Sequence, residues 1–158
     1  MTDIEKANML EAINLSGTNI HKAHGGPFGA VVVKDGKIVG KGYNQVILTN
    51  DPTAHAEILA IRDACGKLGT YQLSNCEIYS SCEPCPMCLS AIYWARIDRL
   101  FFGCTRNDAQ EIGFDDNLFY DEIKLPAEKR SVQTKQIMRN ESIKVFNRWK
   151  QLHIDPAY

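Results

Sequence analysis

The nine residues SSCEPCPMC, numbers 80 to 88, set Cys82, Cys85 and Cys88 three apart. Cysteines at that spacing can serve a disulfide framework, a thiol redox pair, a structural metal site or part of a catalytic one. Pro84 and Pro86 suit the entry and first turn of a helix, where a missing N–H leaves no bond unmade. This places Cys85 and Cys88 in one helical first turn, on one face. The positive helix end lowers thiol pKa there, and two thiolates can share one metal ion. A redox pair fits the same C-x-x-C and predicts a reversible Cys85–Cys88 disulfide without metal.

A second element upstream favours the metal. Thr53-Ala54-His55-Ala56-Glu57 leads into the apolar run Ile58-Leu59-Ala60-Ile61, which reads as a helix with His55 in its first turn. Two helix N-termini meeting at one sheet edge would join an imidazole to two thiolates. Three protein ligands on zinc leave the fourth position to water, as in catalytic sites; a structural site takes a fourth protein ligand. Cys82 is the candidate for that fourth ligand, although it precedes Glu83-Pro84 and falls at a strand end outside the helix. His21, His24 and His153 are the other imidazoles. His21 and His24 sit near a helix end, where histidine complements the dipole. Glu57 follows His55 by two, so it can reach metal-activated water without ligating, as a general acid/base does.

These groups need a scaffold. Residues 3 to 22 read as an amphipathic helix with Ile4, Ala7, Leu10, Ile13 and Ile20 near a 3.6-residue period. Gly25-Gly26-Pro27 breaks it. Residues 28–33 and 37–43 read as two strands joined at Lys34-Asp35-Gly36, because Asp-Gly supplies the positive φ angles of a hairpin turn. A helix over 54–67, a strand over 77–81, a short helix over 86–95 and a strand over 99–102 follow. Strands alternating with helices argue for a three-layer α/β domain with partly parallel pairing. Residues 107–120 show no clear period, and helical pattern returns from Pro126 to about Leu152. The whole chain, 1–158, reads as a single domain with a C-terminal helical tail from about 126.

The bulk numbers agree. The 158 residues are 44% hydrophobic, 23% charged and 9% aromatic, with a formal net charge of −1. That is enough chain for one core, and the charge gives no footprint for nucleic acid or anionic membrane. No apolar run approaches the roughly 20 residues of a membrane span. The first residues lack the basic-then-apolar pattern of a signal peptide. A cytoplasmic protein is expected, and its six cysteines are then not a disulfide scaffold. Cys65, Cys76 and Cys104 read as buried structural thiols.

His55-Ala56-Glu57 with Pro84-Cys85-Pro86-Met87-Cys88 is the H-x-E…P-C-x-x-C pattern of zinc nucleobase deaminases. The chain resembles the cytidine and deoxycytidylate deaminase superfamily. Within it, GGPFGAVVVKDG, NDPTAHAEI and SCEPCPMCL, with GFDD further on, closely resemble the short bacterial guanine deaminases. The likeness covers most of residues 25–130, and the terminal tyrosine is shared. The resemblance implies a three-layer α/β/α fold with a mixed five-stranded sheet and one Zn2+ per subunit, held by His55, Cys85 and Cys88. It implies Glu57 as proton shuttle and a purine base as substrate. Phe28, Asn44, the Ala56 backbone, Trp94, Asp116 and Tyr158 would surround that base, Phe28 by stacking and Trp94 as a pocket wall. A homodimer with exchanged C-terminal segments is implied too. By residue type alone, Phe28 is core, Asn44 a turn residue, Asp115-Asp116 a helix cap and Tyr158 a frayed end. Deaminases of cytosine, adenine, transfer-RNA adenosine or aminotriazines are the rival activities. A zinc-stabilised interaction module, with Cys82 as fourth ligand and no use for Glu57, is the rival class.

Overall fold

The computed structural model describes residues 1–152. The first helix, α1 (Asp3–Lys22), is fixed at its start by a reciprocal capping box between Thr2 and Glu5. Strands β1 (Gly29–Lys34) and β2 (Lys37–Tyr43) form the expected hairpin. Asp35 (φ 49°) and Gly36 (φ 73°) both take the left-handed conformation its turn requires. A short helix α2 (Val46–Thr49) leads to α3 (Ala56–Leu68), which stops at Gly69. Then come β3 (Cys76–Cys82), α4 (Pro86–Trp94) and β4 (Arg99–Cys104). Helices α5 (Arg106–Glu111) and α6 (Asp116–Glu122) follow, then a 3-10 turn (Ala127–Lys129) and α7 (Arg139–Gln151).

The sheet runs β2-β1-β3-β4. β1 pairs antiparallel with β2 and β3, and β3 pairs parallel with β4 across the α4 crossover. The sheet is mixed, as expected, but among the described residues it has four strands and not five. The reason lies just after β4. Thr105 and Asp108 form a second capping box, which turns the chain into α5.

The sheet is covered on both sides. Ala30, Val32 and Ile78 pack with Ala56, Ala60 and Ala64 of α3 and Ile92 of α4. Val31, Val33 and Tyr79 pack on the opposite face with Ala12 of α1. β1 is therefore apolar on both faces, which is why its sequence reads as a continuous run and not as an alternation. The layers are helix, sheet, helices.

Two expectations fail on this scaffold. In α1 the buried positions are Asn8, Ala12 and Asn19, whereas Ile4, Leu10, Ile13 and Ile20 are exposed. The fully buried positions are small or polar because the helix lies close to the sheet there, with Met9 and Leu15 packing beside them. Among the cysteines, Cys76 is buried as expected, Cys65 is half-buried and Cys104 is exposed on the open edge of β4.

Helix α3 lies closest of all. A Cβ on Gly40 would strike the Ala60 carbonyl, and one on Gly42 would strike the Ala56 carbonyl. Those two glycines let the helix sit directly on β2. The Lys41 N–H, between them, donates to the Asp63 carboxylate at 2.9 Å. Gly66, also in α3, faces open space. Gly40→Ala should lower stability by about 1–3 kcal/mol or more through overpacking. Gly66→Ala should raise it by about 0.5–1 kcal/mol through helix propensity. Chemical denaturation of the two variants reads both signs.

Candidate active site

Both chemistry-bearing segments enter at helix N-termini. His55 is the residue preceding α3, with extended backbone (φ −72°, ψ 156°), and Cys85 stands in the same relation to α4 (φ −65°, ψ 167°). Each lies one position earlier than a first-turn placement. Neither side chain caps its own helix; both turn toward each other. Pro86 opens α4, and Cys88, two residues on, faces back to Cys85. The His55 Nδ1 lies 3.6 Å from the Cys85 Sγ and 3.5 Å from the Cys88 Sγ.

These distances test the donor set against a metal ion. Tetrahedral zinc with ordinary Zn–S and Zn–N bonds requires an S···N separation of about 3.5 Å. The side chains stand at that separation, and all three ligand atoms lie within 4.8 Å of one another. Two soft thiolates and an imidazole are a zinc donor set, so the residues fit the ion. Cys82 does not join the group. It ends β3, and its Sγ reaches the Thr105 carbonyl at 3.5 Å.

The protonation pattern follows from position. The Cys88 thiol donates to Cys85, and together with His55 this holds the Cys85 thiol down at about 4 against the opposing effect of burial. The same proton, with burial, pushes Cys88 up. His55 is raised by its bond to Cys85. Cys82, buried and without such partners, is pushed up to about 12.

Glu57, second residue of α3, is only 6% exposed. Burial raises its carboxyl above the usual range. The Ser80 hydroxyl, on β3, donates to its Oε1 at 3.2 Å. Sequence reading missed Ser80; its one signal is a pair of serines, Ser80 and Ser81, in a buried inner strand.

Beside these groups is a cavity of ≈ 440 Å³ lined by Phe28, Asn44, His55, Glu57, Cys85 and Asp116, with Gly25, Gly26, Glu83 and Phe114. Phe28 meets Phe114 edge-on, with centroids 4.8 Å apart at 82°. Asn44 is 4% exposed, and its Oδ1 accepts the Val46 N–H at 3.2 Å. Side chains at Gly25 and Gly26 would collide with Asn44 and with Phe28 and Phe114, respectively. Ala56 begins α3, so its N–H is one of the helix donors without an intrahelical acceptor. Asp116 begins α6, and burial raises its carboxyl, with the Cys85 charge adding to the effect. Its neighbour Asp115 instead caps α6, accepting the Leu118 N–H at 3.4 Å. Phe114, Glu83 and Tyr120 were not foreseen. Tyr120 donates to the Pro84 carbonyl at 2.9 Å, under the Arg106 guanidinium, and so ties α6 to the loop before α4.

The expected wall, Trp94, is elsewhere. It ends α4, is 59% exposed and borders a separate groove with Ile58, Ile61, Tyr71 and Ala91. The α4 axis carries it away from the Cys85 end, nine residues back. Tyr158 and His153 lie outside the described residues.

Residues 2–104 match the cytidine and deoxycytidylate deaminase zinc-binding region. The chain belongs to the cytidine and deoxycytidylate deaminase family. Within that family it is 51% identical, over 88% of its own length and 89% of the relative's, to the guanine deaminase of Bacillus subtilis. The X-ray structure of guanine deaminase from Bacillus subtilis superposes with a TM-score of 0.93 at 46% identity, covering 100% of this chain and 99% of that one. The tRNA-specific adenosine deaminase of Buchnera aphidicola is 42% identical over 77% of this chain and 78% of its own. The deaminase scaffold thus extends along the described chain, with the His55–Cys85–Cys88 triplet inside the matched zinc-binding region.

His55→Ala and Cys88→Ser should lose the metal, and Cys82→Ser should keep it at wild-type stoichiometry. Elemental analysis of the purified variants distinguishes them; zinc lost from the Cys82 variant would give that residue a ligand's role.

Proposed function

We propose that the protein hydrolyses guanine to xanthine and ammonia. The observation that carries this reading is one cavity lined by His55 and Cys85 of the metal-ligand triplet, the buried Glu57 carboxyl and the Phe28, Asn44 and Asp116 side chains. The likeness to guanine deaminases along nearly the whole chain supports guanine over other bases.

His55, Cys85 and Cys88 would hold one zinc ion per subunit. Zinc there supplies Lewis acidity that makes water nucleophilic at neutral pH. Hydrolysis adds water across the C2=N3 bond of guanine and then expels the 2-amino group as ammonia. The chain must move two protons for this. Glu57 accepts the water proton and delivers it to N3, then takes the proton of the new C2 hydroxyl and gives it to the departing amine as the C2 carbonyl forms. A carboxyl raised by burial can both accept and donate near neutrality, which a solvated glutamate does poorly. Ser80, hydrogen-bonded to Oε1, fixes the carboxyl's orientation.

The remaining groups match the base. Phe28 offers a face for stacking, edge-braced by Phe114. The Asn44 amide carries both donor and acceptor, and the Asp116 carboxylate accepts from ring N–H groups. The Ala56 N–H, at a helix N-terminus, suits a carbonyl oxygen. Tyr158, in its proposed role, closes the pocket.

The protein is proposed as one domain whose C-terminal segment, from about 126, exchanges between the subunits of a homodimer. The exposed Val145, Phe146 and Trp149 of α7 support this, because they leave an apolar face bare on a single chain. A cytoplasmic setting is supported by six free cysteines, two of them metal-ligand candidates. No helix among the described residues is long and apolar enough to cross a membrane.

The likeness to a tRNA-specific adenosine deaminase favours transfer-RNA adenosine as a second reading, against which stands the formal net charge of −1.

Ammonia release from zinc-loaded protein should be rapid with guanine and absent with adenine, cytosine, cytidine, guanosine and transfer RNA. Turnover of another substrate instead would overturn the guanine assignment. Glu57→Gln should keep zinc and lose about 10²-fold or more in kcat. Deleting Tyr158 should lower kcat/KM and leave the zinc content unchanged. An unaltered rate would remove the tail from the pocket.

A further inference from the structure

Asn19 is buried, 5% exposed, in the last turns of α1. Its Nδ2 donates to two main-chain carbonyls at once, Gly26 O at 2.7 Å and Asn44 O at 2.7 Å. Those carbonyls belong to the two segments that form one side of the cavity, and they are already stitched together. The Asn44 N–H donates to Phe28 O at 3.0 Å, and the Phe28 N–H donates to Gly26 O at 2.8 Å. From Asn44 the link continues to the metal end, because the Gln45 N–H donates to Ala54 O, beside His55, at 2.9 Å.

The other end of the amide shows what this geometry costs. Among the described residues the Asn19 Oδ1 is buried with no hydrogen-bond partner. An orphaned buried acceptor is costly, and such a group calls for a reason. The reason is donor count. Two carbonyls converge on one point, and a neutral amide nitrogen is the side-chain group that satisfies both from one atom without burying a charge. The unmade bond at Oδ1 is the cost of that fit.

We infer that Asn19 is the positioning residue of the substrate pocket, holding the Gly26–Phe28 segment and Asn44 in register so that the Phe28 ring and the Asn44 amide face the base together. The inference rests on the guanine reading for the identity of the base, and on hydrogen bonds alone for the positioning.

Two measurements on the zinc-loaded protein test it. In amide hydrogen exchange, Asn19→Ala should expose the amides of Phe28, Asn44 and Gln45 while those of α3 and β3 keep wild-type protection. In a kinetic double-mutant cycle, Asn19→Ala should lower guanine kcat/KM by about tenfold or more, mainly through KM. In an Asn44→Ala background the same change should cost clearly less than in wild type, because part of its effect runs through Asn44 and the rest through the Gly26–Phe28 segment. Asn19→Asp, which presents oxygen to both carbonyls, should match or exceed the alanine variant. Asn19→Ser, which keeps one donor, should fall between alanine and wild type and serves if the alanine variant folds poorly. Uniform exchange across the sheet with additive kinetics would make Asn19 an ordinary structural residue and overturn the inference. If wild-type protein turned over no guanine, the functional reading would fall, and local versus uniform exchange would still decide the positioning.

Discussion

The closeness of α3 to β2 is the constraint on which the site depends. A helix usually keeps its distance from a sheet because Cβ atoms stand between them. Here Gly40 and Gly42 remove those atoms on the strand, and Ala56, Ala60 and Ala64 keep the helix side small. The α3 axis is thereby set by main-chain contact, which tolerates little drift. His55 and Glu57 are the first residues that this axis carries beyond or into the helix, so their positions inherit its precision. The β3–α4 turn brings Cys85 and Cys88 from the other side, and proline at the start of α4 limits how that turn can bend. The metal-ligand geometry is thus a meeting of two helix ends, each held from behind.

The same arrangement explains the electrostatics. Carboxyl, imidazole and two thiols are crowded where solvent is largely excluded, so each group's protonation depends on its neighbours. Glu57 differs from the others in having burial as its dominant influence. A metal-binding site needs groups that give up protons, and a proton shuttle needs one that can take up a proton and release it again near neutrality. The α3 N-terminus supplies both within three residues by turning His55 toward the cysteines and Glu57 toward Ser80.

Much of this was legible in the sequence where chemistry and spacing coincide. The hairpin at Asp35-Gly36, the four strands and the helices that begin just after His55 and Cys85 follow from turn chemistry, proline placement and periodicity, whereas Cys82 stayed open as a fourth ligand until the structure placed its Sγ apart from the triplet. The α1 orientation was not legible. Its isoleucines suggested an inward stripe, but the fully buried positions are Asn8, Ala12 and Asn19, flanked by Met9 and Leu15, because close approach to the sheet and hydrogen bonding outweighed hydrophobicity there. Asn19, Ser80 and Phe114 escaped notice for a related reason. Each has its effect through a contact across the fold, and nothing in its local pattern marks it. Trp94 is a different case: it was placed by resemblance, and on a single chain the α4 axis sets it beside a separate groove.

β1 is apolar on both faces, and this has a consequence for how the chain finds its structure. A strand with one wet face detects a slip of one residue, since the slip buries polar side chains. Val31, Val32 and Val33 supply no such check. The count is kept instead by the tight Asp35-Gly36 turn and by an irregularity in the pairing between Val32 and Val33, where the partner jumps from Gly40 to Ile38. A miscount by one would put Lys41 or Val39 where α3 needs a glycine. Hairpin register is therefore a proofreading step: only the correctly counted ribbon offers α3 a seat, and only a seated α3 brings His55 to the cysteines.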